Sequence, residues 1–210
     1  LSGSAEYQST IDTYEAKNIT GYKLDIAKVH GSSQSLEDAP LVISENANEN
    51  IIEVYYVKDS FGYTIEYYYD DVKDAEATVS STAVYGCTID TYTAKPKTGY
   101  TFHKVTGCPL TITEVAENNV MKVYYIKGSF DYTVNYYYDN VIDAEATETD
   151  SALYGAEINT FTQKNKEGYA FVIAKAYGKT ESLTEEPLVI GTDVSKNVIN
   201  VYYEKQSYAY

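Results

Sequence analysis

Tyr132-Thr133-Val134-Asn135-Tyr136-Tyr137-Tyr138-Asp139 places Tyr132, Val134, Tyr136 and Tyr138 on one side of an extended chain and mostly polar residues on the other. That period of two is the pattern of a half-buried β-strand. Aromatic and β-branched side chains suit such a pleated surface. The pattern recurs as Tyr63-Thr64-Ile65-Glu66-Tyr67-Tyr68-Tyr69-Asp70, which identifies a repeated strand rather than an isolated one.

Other anchors around this strand occur three times. They are Gly21-Tyr22, Gly99-Tyr100 and Gly168-Tyr169; Pro40-Leu41, Pro109-Leu110 and Pro187-Leu188; and Val54-Tyr55-Tyr56, Val123-Tyr124-Tyr125 and Val201-Tyr202-Tyr203. The Pro-to-Val spacing is 14 in each copy, and Tyr7, Tyr85 and Tyr154 each precede their glycine by 14. The Gly-to-Pro spacing is 19, 10 and 19, so the middle copy lacks nine residues of an expected surface hairpin or loop. The chain therefore divides into residues 1–60, a copy lacking its first strand; 61–129, the shortened copy; 130–207; and 208–210, the start of a fourth copy. It reads as cut from a longer array.

In the third copy, a first strand should lead through the acidic stretch Asp139 to Thr147 to a second strand near Ser151 to Ile158. Asn159 to Glu167 reads as helix or loop, followed by strands at Tyr169 to Ala176, Leu188 to Ile190 and Val198 to Tyr203. The expected class is mainly β with little helix, in β-grasp-like modules whose first and last strands lie parallel and central. Joints of about two residues, Asp59-Ser60 and Gly128-Ser129, would string the modules into an elongated rod. Each unit would advance on the order of 30 Å.

Composition narrows the function classes. The net charge is −15, every basic residue is Lys, and such a surface repels nucleic acid and anionic lipid. No apolar run is long enough to insert into a membrane. Tyrosine numbers 25 against 5 Phe and no Trp; strand positions explain most of these rings, and an aromatic ligand platform is the competing explanation. His30 and His103 occupy non-equivalent positions, and no Ser/His/Asp or Cys/His arrangement recurs, so the chain does not read as an enzyme.

The run [YF]-x-[VI]-x-Y-Y-Y-D, A-x-Y-G, K-x-x-G-Y, P-L-x-I and V-Y-Y resembles the MucBP-type (mucin-binding protein) repeats of Gram-positive bacterial surface proteins. The resemblance covers all three copies. It implies a β-grasp-like module, an extracellular, cell-wall-anchored location, and a cell-surface adhesin in which the repeats serve as stalk or as mucin-binding modules. Partners would be host mucin, other glycans or a host surface protein. Lys–Asn isopeptide cross-links suit such stalks, although the sequence pairs no residues for them.

Candidate sites follow. Cys87 and Cys108 appear together in the middle copy only, which points to a disulfide closing a loop of about 20 residues and contributing roughly 3 kcal/mol. Tyr55, Tyr68, Tyr124, Tyr137, Tyr177 and Tyr202 are candidate glycan contacts. Asp70, Asp71, Asp74 and Glu76, repeated in part as Asp139, Asp143 and Glu145, offer oxygen ligands for calcium on a solvated turn; no other cofactor is implied. The first copy's missing strand and the strand begun by Tyr208-Ala209-Tyr210 suggest self-association by strand exchange.

Overall fold

A computed structural model describes residues 2–209; Tyr210, assigned to a fourth copy, lies outside them. The first copy contributes β1 (Thr10–Ile11), β2 (Tyr22–Val29), β3 (Leu41–Val42) and β4 (Ile52–Lys58). The second contributes β5 (Ser60–Tyr69), β6 (Val72–Val84), β7 (Thr88–Ile89), β8 (Tyr100–Thr106), β9 (Leu110–Thr111) and β10 (Val120–Lys127). The third contributes β11 (Ser129–Tyr138), β12 (Val141–Ile142), β13 (Glu148–Leu153), β14 (Glu157–Ile158), β15 (Tyr169–Ala176), β16 (Leu188–Val189) and β17 (Val198–Lys205). The chain is mainly β. Its helical content among the described residues is two short 3₁₀ turns, Ala116–Asn118 and Val194–Lys196.

The third copy shows the topology most fully. β11 and β17, its first and last strands, run parallel side by side, with Thr133 opposite Val198 and Tyr138 opposite Tyr203. β15 pairs antiparallel with β17, while β12 and β13 pair antiparallel with β11, so the two parallel strands are central. The buried side follows the expected alternation: Val134, Tyr136 and Tyr138 pack with Ile199, Val201, Tyr203, Leu183 and Ile190. Asn159 to Glu167 forms no helix but an irregular run that places Phe161 against this core. The turn from β11 to β12 holds Asp139 and Asn140 at φ of 49° and 65°. Two successive left-handed residues make the hairpin turn that suits strand twist, and Asp and Asn tolerate that conformation better than other side chains with a Cβ.

In the second copy the sheet order is β6-β5-β10-β8, the same order with a single long β6 in place of β12 and β13. Among the described residues the first copy keeps only the β2–β4 and β1–β3 pairs. Its core is correspondingly small, with Ala27, Leu36 and Leu41 buried. The extra residues of the outer copies do more than the surface loop expected of them, because Leu36 and Leu183 within them turn inward and are buried. A backbone bond from each leucine N–H to Ala27 or Ala174 fixes that turn.

The chain forms two compact units, Leu1–Glu66 with Thr78–Thr93 and Thr106–Lys122, and Tyr67–Ala77 with Ala94–Val105 and Val123–Tyr210. These do not coincide with the sequence copies. The copy boundaries at 60/61 and 129/130 fall inside the units.

Candidate functional site

The feature that recurs most fully is the join between copies, formed once within each compact unit. In the first unit the N–H of Asp59, the single residue between β4 and β5, donates to the carbonyl of Gly21 at 2.9 Å. The carbonyl of Asp59 in turn accepts from the N–H of Tyr85 in the next copy at 2.8 Å. Gly21 has φ of +78°, and the half-buried Tyr85 ring lies where its Cβ would be. Only glycine satisfies both conditions, a left-handed backbone and a ring pressed against the α-carbon. Phe61 meets Tyr85 edge-on at 6.2 Å, and the Glu114 carboxylate accepts the N–H of Gly21.

The second unit repeats the arrangement with different residues. Gly128 N–H donates to Gly99 O at 2.8 Å, and Tyr154 N–H donates to Gly128 O at 2.9 Å. Gly99 (φ +79°) lies under the Tyr154 ring, and Phe130 meets that ring edge-on at 6.3 Å. With one residue between strands, two hydrogen bonds and an interlocked ring, each join is a built contact rather than a flexible linker.

Two further devices hold each copy. The second tyrosine of every Val-Tyr-Tyr uses its hydroxyl to accept a backbone N–H four residues before the glycine: Lys17 to Tyr56 at 2.7 Å, Lys95 to Tyr125 at 3.0 Å and Lys164 to Tyr203 at 2.9 Å. The irregular run over the sheet has no ladder to satisfy its backbone, and these phenols supply partners. An asparagine four residues before each Val-Tyr-Tyr clamps the chain ahead of the last strand. Asn197 accepts Gly191 N–H at 2.9 Å, donates to Gly191 O at 2.9 Å, and reaches Asp131 O beside β11 at 3.2 Å. Asn119 repeats this with Thr113 and Gly62, and Asn50 with Ser44 alone. Asn119 and Asn197 are buried with their polar atoms satisfied. Sequence reasoning missed all three, although the constant offset of Asn50, Asn119 and Asn197 from the valine was available.

The candidate glycan contacts separate into groups. Tyr68 and Tyr124 stack on each other at 4.9 Å, and Tyr137 and Tyr202 at 5.1 Å, on the face opposite the core. Part of each ring face is thus covered by its neighbour. Lys104 lies over Tyr124, and Lys28 lies over Tyr55, whose hydroxyl donates to Glu53 at 2.7 Å. Tyr177 is 52 % exposed and lines an open hollow of about 450 Å³ with Lys179, Asp193 and Lys196.

The acidic side chains read as candidate calcium ligands are engaged with neighbouring groups of the chain. No three His, Cys, Asp or Glu side chains among the described residues converge to hold a metal. Asp70 accepts the Tyr100 hydroxyl and the Lys127 N–H, and Asp139 likewise accepts from Tyr169 and Lys205. Asp74 accepts the N–H groups of Glu76 and Ala77, and Asp143 accepts from Ala146 and pairs with Lys166 at 3.2 Å. Asp71, like Asp70, sits at positive φ as a hairpin turn residue, while Glu76 and Glu145 are exposed. These oxygens brace strands and turns.

The expected disulfide is not formed; Cys87 and Cys108 are free thiols. Register explains why. Cys87 pairs through its backbone with Ile112, whereas Cys108 lies beyond the Thr88–Thr111 and Ile89–Leu110 pairs, its sulfur 3.5 Å from Asp90 O. The Cys87 sulfur lies by Thr88 O and the Cys108 sulfur by Asp90 O, so the two thiols have different neighbours.

In the third copy the buried Tyr136 hydroxyl meets a partly exposed ion pair. The Tyr136 hydroxyl is 2.6 Å from Thr162 O and 3.0 Å from Glu148, which also pairs with Lys164. Burial, reinforced by the Glu148 carboxylate, raises the Tyr136 pKa, while Lys164 lowers that of Glu148. No helix among the described residues is long and apolar enough to cross a membrane. Compared with known proteins, the chain matches no family model and no curated sequence.

Proposed function

We propose that this chain is a stalk segment of a Gram-positive cell-surface adhesin, non-enzymatic and extracellular, whose MucBP-type, β-grasp-like modules form an elongated rod that holds a distal binding domain away from the cell wall. The observation that carries the reading is the join, in which a tyrosine of one copy is seated on a left-handed glycine of the previous copy and a two-bond backbone relay ties them, in both places. A protein that needed freely hinged modules would have no use for such a contact. The parallel, central first and last strands support the β-grasp-like assignment, since a chain entering and leaving along adjacent parallel strands advances in one direction through each module. Small-angle scattering tests the rod: three modules end to end predict a maximum dimension of roughly 100 Å. A near-spherical particle would sink the proposal.

A second reading, a glycan-binding module, is favoured by Tyr177 and its hollow, where an exposed ring stands beside charged groups. Mucin pull-down with Tyr177→Ala as control tests it, and retention independent of that ring counts against it.

A further inference from the structure

In the first and third copies the outer strand of the sheet is covered by the chain's own backbone. The N–H of Leu36 donates to Ala27 O and the N–H of Leu183 to Ala174 O, each at 2.7 Å, and both bonds lie outside the ladders of β2 with β4 and β15 with β17. Ala27 and Ala174 each follow the copy's glycine by six residues, and the nine residues from there to the leucine are those that the middle copy lacks. Val105 holds that place on β8, at the end of the β6-β5-β10-β8 order. Thr101, Phe102, His103 and Lys104 of β8 are exposed, and Val105 is half-buried where Ala27 and Ala174 are buried.

The charge around β8 also departs from that of the chain. Residues 91–113 hold Lys95, Lys97, His103 and Lys104 and no Asp or Glu, although the net charge is −15. The corresponding stretch of the third copy, 160–191, carries Glu167, Glu181, Glu185 and Glu186. Lys104 lies over the Tyr124 ring at 5.0 Å on one side of the sheet, while Phe102, 53 % exposed, meets the buried Tyr125 at 6.1 Å on the other. The edge thus has a cationic side and an apolar side. Asp70, at the Tyr100 end of the strand, already accepts the Tyr100 hydroxyl and the Lys127 N–H.

We infer that the outer edge of β8 is a docking strand for an acidic, extended segment of a partner protein. The segment pairs with the backbone of residues 101–105, turns its carboxylates toward Lys104 and packs alternate apolar side chains on Phe102 and Val105. The occupant is argued from charge complementarity and from the outer copies, where the matching carbonyl takes a chain N–H. A second copy of β8 in that place would bring like charges together across the pair, which destabilises a ladder. The site goes beyond the stalk reading and does not depend on it.

The probe is a blocked, labelled octapeptide alternating Glu and Val, titrated against the full chain by fluorescence anisotropy. It should half-saturate below about 1 mM, and its affinity should fall about fivefold or more between about 50 mM and about 500 mM NaCl. Hydrogen exchange of the amides of residues 101–105 should slow on binding. The same peptide N-methylated at every residue should bind at least about tenfold more weakly, and one alternating Lys and Val should not bind. Lys104→Glu should weaken binding about fivefold or more. Inserting the third copy's residues 175–183 after Val105 gives the middle copy the cover its neighbours have and should abolish binding. If that variant does not fold, Lys104→Glu and the N-methylated peptide decide. No saturation by about 5 mM, an N-methylated peptide as good as its parent, or unchanged affinity in Lys104→Glu would each overturn the inference. Tighter, Lys104-dependent binding of a heparin hexasaccharide would assign the patch to an acidic glycan instead, and dimerisation of the chain alone with the same amides protected would assign the edge to a second copy. A near-spherical particle that still binds the peptide would sink the stalk reading and leave this one standing.

Discussion

The hydroxyls of Tyr56, Tyr125 and Tyr203 do what phenylalanine could not, giving hydrogen-bond partners to an irregular backbone that lies over a sheet. Tyrosine abundance is therefore partly a backbone-satisfaction device, beyond its fit to strands. The asparagines act likewise. Asn197→Ala removes three hydrogen bonds at a buried site and should cost about 2–3 kcal/mol, measured by urea unfolding. Asn50→Ala should cost less, because Asn50 contacts Ser44 alone and is less buried. Tyr69, Tyr100, Tyr132, Tyr136 and Tyr138 all have raised pKa values, chiefly through burial. The folded state thus holds these protons more tightly than the unfolded chain. Their contribution is complete below the unfolded tyrosine value of about 10 and is lost as pH rises toward the folded values. Melting temperature should fall steadily above about pH 10, and Tyr136→Phe should flatten that fall while lowering stability at neutral pH.

Among the elements, the joins are the most informative. Gly99 and Gly168 share a left-handed backbone but differ in what lies above them, which separates backbone strain from packing. Gly168→Ala should cost only the conformational term of about 1–2 kcal/mol, whereas Gly99→Ala should lose about 1–3 kcal/mol more because the new methyl displaces the Tyr154 ring. Equal losses in chemical denaturation would show that the ring contributes nothing to the join. The two-residue hairpin turns explain the acidic stretches through backbone geometry, since Asp70-Asp71 and Asp139-Asn140 occupy left-handed positions. The pairing of Cys87 and Cys108 looked plausible by co-occurrence, but strand register separates them; sequence distance carries no information about position along a ladder.

Across the whole molecule, burial is uneven. Among the described residues the third copy buries eleven residues in its core and the first buries three, and β4 pairs with β2 alone. Amides of β2 and β4 should exchange hydrogen faster than those of β15 and β17, and equal protection would mean that the first copy draws stability from elsewhere. The sequence by itself determined the strand class and the buried alternation of Val134, Tyr136 and Tyr138. Both depend on period, which is local and countable. The tertiary structure alone decided that the acidic side chains brace turns, that the cysteines stay apart, that Tyr68 and Tyr137 stack on neighbours, and that Tyr85 and Tyr154 lock onto glycines of the preceding copy. Each of these depends on which residues lie opposite one another across strands or joins, and composition and spacing leave that register open.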